Sequence, residues 1–96
     1  PLPSLQGPHQ IQNAGAAIAT LRFLGMGETA CTAAVSQAFW PGRMQRLRTG
    51  ALVENLSCNE IWLDGGHNPA AGRAIAATLA NLAKRETHII CGMLNT

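Results

Sequence analysis

From Glu60 to Pro69 the chain reads Glu60, then the apolar residues Ile61-Trp62-Leu63, then Asp64-Gly65-Gly66-His67-Asn68-Pro69. A short apolar run ends in a tight loop and restarts as a helix. Residues 60–63 have the composition of a strand. Two glycines then permit a sharp reversal and a close backbone approach. Asn68 is a good N-cap, and Pro69 suits the first helical position, where its missing N–H would have had no partner. A helix N-terminus presents free N–H groups and partial positive charge, which suits an anion or phosphate. Asp64 and His67 stand at its mouth, an acceptor and a titratable donor. The same arrangement is also what a well-capped turn with no ligand looks like.

The flanking segments extend the pattern. Residues 69–82 carry Ala71, Ile75, Leu79 and Leu82 on one face, with Lys84 and Arg85 favouring the C-terminal dipole. Residues 87–93 read as a buried strand. Strand, helix and strand in that order predict a right-handed parallel crossover, with ligands at the carboxyl ends of the strands, where residues 64–68 fall. Upstream, residues 1–7 are an extended segment or loop. From His9, the residues Ala14, Ala17, Ile18, Leu21 and Leu24 recur at helical spacing, and Gly25 is placed to stop the helix. Residues 28–39 predict a second helix, so Gly25-Met26-Gly27 joins a helical hairpin. Trp40-Pro41-Gly42 breaks it, and a domain boundary falls there. Residues 44–48 and 51–54 are expected to pair as strands about a Thr49-Gly50 turn, with residues 55–59 a polar connection. The fold class is α/β.

A chain of 96 residues with 47% apolar and 12% charged content is globular rather than disordered. That length buries only about two-thirds of its unfolded surface. It lacks an initiator Met and stops just after an apolar run, so it reads as a piece of a longer protein with parts of two domains. The net charge of +2 is too weak to imply nucleic acid. Cys31, Cys58 and Cys91 are odd in number and lack metal-ligand spacing, so they read as reduced thiols of a cytoplasmic protein. Arg22 and Arg73 interrupt the most apolar stretches, and neither reaches the roughly 18 residues of a membrane span. No secretory signal is visible.

Three stretches resemble, in order, successive motifs of the folylpolyglutamate synthase / dihydrofolate synthase family, part of the wider Mur ligase group. They are Gly7-Pro8-His9-Gln10-Ile11-Gln12-Asn13-Ala14, Trp40-Pro41-Gly42-Arg43 and Asp64-Gly65-Gly66-His67-Asn68-Pro69. The resemblance implies a helical hairpin from the end of a central ATP-binding domain, residues 1–39. After it would come the first part of a Rossmann-like carboxyl-terminal domain, residues 40–96. An ATP-dependent ligase is implied: the γ-phosphate of ATP passes to a substrate carboxylate, and the amine of L-glutamate attacks the acyl phosphate. Folate or dihydropteroate is the implied carboxylate substrate, in a monomeric parent enzyme with no nucleic-acid or membrane partner. Phosphoryl transfer depends on positioning and charge stabilisation. The resemblance makes Asn13, Arg43 and Asp64 nucleotide contacts and sets His67 near the phosphates as the candidate catalytic residue. Arg43 has the fork for phosphate oxygens that Lys lacks.

Blander readings stand beside these. Asn13 near a helix start suits a local side-chain bond. Arg43, Arg46 and Arg48 alternate on a strand, so two of them form a solvated face. His9 and His88 read as structural, and Trp40 and Trp62 as core or interface anchors. There are also departures from the family. The Gly-rich phosphate loop is not in these residues, and the ligands for Mg2+ belong to a missing amino-terminal portion. Family members commonly carry Ala where Gly66 stands, a change that loosens the loop. The long interval from Arg43 to Asp64 suggests an enlarged hairpin. By itself the chain is expected neither to hydrolyse ATP nor to ligate. Two further readings stay open: a non-catalytic binding module using the basic residues 43–48, and a Mur-type cell-wall peptide ligase.

Overall fold

The computed structural model describes residues 2–57 and 60–94. The Cys58 thiol and the end of the polar connection at Asn59 lie outside the described residues. α1 (His9–Phe23) and α2 (Glu28–Ser36) pack as the helical hairpin. Past Leu24, Gly25 takes φ +79°, and the N–H groups of Gly25 and Met26 donate to Arg22 O (3.0 Å) and Leu21 O (2.9 Å). This paired closure needs a left-handed residue, which glycine supplies without a Cβ clash. α2 stops at Ser36 rather than Phe39, because its last carbonyls are taken by an incoming strap. Ser4 N donates to Val35 O at 3.1 Å, and Ser4 Oγ donates to Val35 O and Ala38 O. The strap satisfies acceptors that every helix end leaves without a partner.

β1 (Gln45–Leu47) and β2 (Ile61–Leu63) form a two-stranded antiparallel sheet, with Gln45 opposite Leu63, Arg46 opposite Trp62 and Leu47 opposite Ile61. The enlarged hairpin connection between them is described over residues 48–57 and at Glu60. Within it, residues 51–54 do not form the expected strand: α3 (Ala51–Asn55) is a short helix. Ala51, Leu52 and Glu54 favour helix over strand, and Gly50 at φ +104° leads the chain into that turn instead of back along β1. Asn55 Nδ2 closes the turn on Ala51 O at 2.7 Å.

α4 (Pro69–Ala80) begins as the sequence predicts. Asn68 Oδ1 accepts from Ala71 N at 2.9 Å, and Pro69 follows it as the first helical residue. Asn68→Ala removes this cap and is expected to cost about 1 kcal/mol. In thermal denaturation that is a Tm lower by about 4–8 °C.

Residues 87–93 need a second correction. They form no strand, and Ile89, Ile90 and Met93 are exposed. A strand persists only when its N–H and C=O groups pair with a neighbour. Among the described residues no third strand joins the β1–β2 sheet. The right-handed parallel crossover is therefore absent from the described residues, and the sheet is antiparallel. The class remains mixed α/β.

The buried apolar side chains are Cys31 and Val35 on α2 and Met44 at the head of β1. The radius of gyration is 15.8 Å, against roughly 12–13 Å for a compact domain of this length. The core is thin, and Phe23, Leu24 and Trp40 stay exposed, so Trp40 is not a core anchor. One seam ties the start of α1 to α4. Gly7, at φ +116°, lies so close to Thr78 that a Cβ there would come within 2.6 Å of Thr78 Oγ1 and of His9 Cε1. Gln10 and Thr78 are both buried, and Thr78 Oγ1 donates to Ala74 O at 2.8 Å. No described helix is long and apolar enough to cross a membrane. Cys31 and Cys91 are free thiols, the first buried and the second exposed.

Candidate functional site

Because Gln45 faces Leu63, the loop before β1 and the loop after β2 must meet. Two hydrogen bonds fasten them, and a third closes the second loop on itself. Gly65 N donates to Gly42 O at 2.8 Å, Met44 N to Asp64 Oδ2 at 2.8 Å, and Gly66 N to Asp64 Oδ1 at 2.7 Å. Gly42 N also donates to Gln45 Oε1 at 3.0 Å. Gly42 takes φ +70° and Met44 takes φ +40°. A left-handed angle costs a side-chain-bearing residue about 1–2 kcal/mol. Burial of the Met44 side chain and the bond from its N–H to Asp64 offset that strain.

Both oxygens of the half-buried Asp64 thus accept from backbone donors. A carboxylate offers about four acceptor sites, so capacity remains. Gly66 does not loosen this loop. A Cβ there would lie 2.9 Å from Asp64 Oδ1 and from Ile75 Cδ1, and 3.0 Å from Ala71 Cβ. The missing side chain is what lets the loop close onto Asp64 and α4.

Arg43, between two left-handed residues, is exposed and joins no ion pair among the described residues. His67 is exposed, with Nδ1 3.1 Å from Gly65 O. A carbonyl only accepts, so Nδ1 carries the proton, and a neutral ring keeps Nε2 as a free acceptor. The start of α4 has fewer free donors than the sequence implies. Pro69 has no N–H, Ala71 donates to Asn68 Oδ1, and Gly72 donates to Asn68 O at 3.0 Å. Ala70 is the first-turn donor outside the cap, so the helix end offers its dipole more than a cluster of N–H groups.

Asn13 stands on α1, where Nδ2 donates to Gln10 Oε1 at 2.9 Å. Gln10 Nε2 lies 3.1 Å from His9 Nε2, and His9 Nδ1 is buried with no partner. The polar residues of the first motif are thereby linked along one face of the helix start. Arg43, Asp64 and His67 come onto adjoining loops; Asn13 shares no hydrogen bond with them among the described residues. Sequence reasoning missed Met44 and Gln45. Nothing in a sequence marks a methionine for positive φ, and the Met44–Asp64 bond joins residues far apart in the chain.

Beside the site, Glu60 gathers three donors. Trp62 Nε1 donates to Oε2 at 3.1 Å, and Arg46 and Arg85 reach Oε1 at 3.2 Å and 3.0 Å. The Trp62 hydrogen bond, then the two guanidinium groups, hold the Glu60 carboxyl below its ordinary value, against the opposing effect of partial burial. A carboxyl lowered on folding contributes stability above its unfolded pKa and loses it as pH falls through the folded one. The tie between Arg85 and the sheet is therefore expected to weaken below roughly pH 4.3. Glu60→Gln should flatten that dependence in melting temperature measured against pH. Arg46 is engaged here, which leaves Arg43 and Arg48 as the exposed cations of the basic run. An open groove lined by Glu28, Thr32 and Ser36 shares no residue with the motif loops. Among the described residues no group of three His, Cys, Asp or Glu side chains could hold a metal ion.

Over 77 residues the chain is 38% identical to a "Probable bifunctional folylpolyglutamate synthase/dihydropteroate synthase" of Halobacterium salinarum, a match covering 79% of the chain and 8% of that protein. Over 84 residues it is 34% identical to a "Dihydrofolate synthase/folylpolyglutamate synthase" of Mycobacterium tuberculosis, covering 80% of the chain and 16% of that protein. No family model and no solved structure matches it. Both relatives are synthases by name, so the chain falls in an enzyme family. It belongs to the folylpolyglutamate synthase / dihydrofolate synthase family, and it spans 8% and 16% of the lengths of these two relatives.

Proposed function

We propose that this chain is part of an ATP-dependent amide-forming ligase that activates a dihydropteroate or folate carboxylate and adds L-glutamate. What supports this reading is the fastening of the 42–44 loop to the 64–66 loop, which brings together the segments bearing Arg43, Asp64 and His67, with Arg43 in no ion pair among the described residues, in a chain of this family. In the first step a carboxylate oxygen attacks the γ-phosphorus of ATP, the bond to the bridging oxygen breaks, and ADP leaves. In the second, the amine of glutamate attacks the acyl carbon, phosphate departs, and the nitrogen loses a proton.

Arg43 makes forked bonds to phosphate oxygens and offsets their developing charge. The remaining acceptor sites of Asp64 receive a donor group of the nucleotide, and Asn13 offers an amide to its base or ribose. His67 presents Nε2 near the phosphates. The described residues do not fit Mg2+; its ligands lie elsewhere in the protein. Residues 1–39 close a central ATP-binding domain and residues 40–96 open a Rossmann-like domain of the Mur ligase kind, in a monomeric cytoplasmic enzyme. The engagement of Arg46 by Glu60 weakens the basic-module alternative.

The full-length polypeptide carrying this chain, given ATP, Mg2+, dihydropteroate and glutamate, should release ADP only when both acceptor substrates are present, with a product heavier by one glutamyl residue. ADP release indifferent to glutamate and pteroate would overturn the proposal.

A further inference from the structure

Arg43 sits on a loop whose shape does not look after itself. Gly42 and Met44 flank it at φ +70° and φ +40°, and a methionine relaxes from that angle to an ordinary one unless something holds it. What holds its amide is Asp64 Oδ2 at 2.8 Å, while Oδ1 is anchored by Gly66 N at 2.7 Å. The carboxylate is thus a bridge between the backbone of one motif and the backbone of the other. We propose that Asp64 is a positioning residue: its carboxylate bridges Met44 N and Gly66 N and thereby fixes the direction in which Arg43 leaves the loop. This rests on the nucleotide reading above and adds to it, because part of what Asp64 contributes to ATP binding passes through Arg43.

Asn in place of Asp64 keeps the shape but offers one oxygen and one NH2 group. The NH2 cannot accept, so one of the two backbone N–H groups loses its partner. In the full-length polypeptide, Asp64→Asn should speed hydrogen exchange by about tenfold or more in the segment holding whichever of the Met44 and Gly66 amides loses its acceptor. It should also weaken ATP binding by about tenfold in calorimetry, yet by only about threefold, the share of its own contact, when made in an Arg43→Ala background. A brace that served folding alone would not produce that coupling. Unchanged exchange at both Met44 and Gly66 overturns the proposal, and so does an Asp64→Asn loss that persists in full beside Arg43→Ala, since Asp64 would then act only by its own contact.

Should Asp64→Asn fail to fold, Gly66→Ala tests the same bridge, because its Cβ would press on Asp64 Oδ1 from 2.9 Å. The same loss of protection at one of these two amides and the same coupling to Arg43 are expected, and their absence overturns the proposal. If the wild-type polypeptide does not bind ATP at all, the nucleotide reading fails by itself. Exchange at Met44 and Gly66 then still decides whether Asp64 holds the loop.

Discussion

Arg43→Ala is expected to lower kcat/KM for ATP by roughly 10- to 100-fold, in line with about 1.5–3 kcal/mol for a hydrogen bond to a charged group. The melting temperature should not move. Arg43 is exposed and has no ion-pair partner among the described residues, so its removal leaves nothing unsatisfied within the fold. Loss of activity without loss of stability is the signature of a group that meets substrate. Arg43→Lys should recover only part of the loss, because a point charge on a flexible stem cannot reproduce two parallel bonds to phosphate oxygens. An Arg43→Ala enzyme with wild-type kinetics in ATP would remove this residue from the site.

Met44→Ala is expected to destabilise by about 2–5 kcal/mol, the range for truncating a buried side chain of this size. The informative comparison is with Met44→Gly. Glycine in an ordinary position costs about 0.5–1 kcal/mol relative to alanine, but here alanine keeps the strain of φ +40° and glycine does not. Since that strain is about 1–2 kcal/mol, the usual order should invert, with Met44→Gly at least as stable as Met44→Ala in urea denaturation. If alanine proves better by its customary margin, the backbone at 44 is not left-handed in solution.

The parts of the fold legible in the sequence are those set by local chemistry. Gly25 closing α1, and Asn68 with Pro69 opening α4, are decided within a few residues, and both elements begin and end close to where the pattern places them. Local chemistry also defeats the expected strand at residues 51–54, since Ala51, Leu52 and Glu54 favour helix and Gly50 at φ +104° turns the chain into it. Residues 87–93 illustrate the converse. An apolar β-rich run becomes a strand only if an edge is there to receive it, and a sequence does not state which edges are open. The site divides in the same way. The sequence shows Arg43, Asp64 and His67 as chemistry-bearing side chains on loops, but the hydrogen bonds that turn Asp64 toward Met44 N depend on strand register. The register of Gln45 with Leu63 is a long-range fact.

The seam at Gly7 has a mechanical consequence. With no side chain of its own, Gly7 lets the first turn of α1 rest directly on Thr78, so the helix bearing Asn13 and the helix behind the 64–67 loop meet like the two jaws of a calliper. A methyl group at residue 7 would be a shim between the jaws. Each helix would keep its own shape, and the gap between their facing surfaces would open.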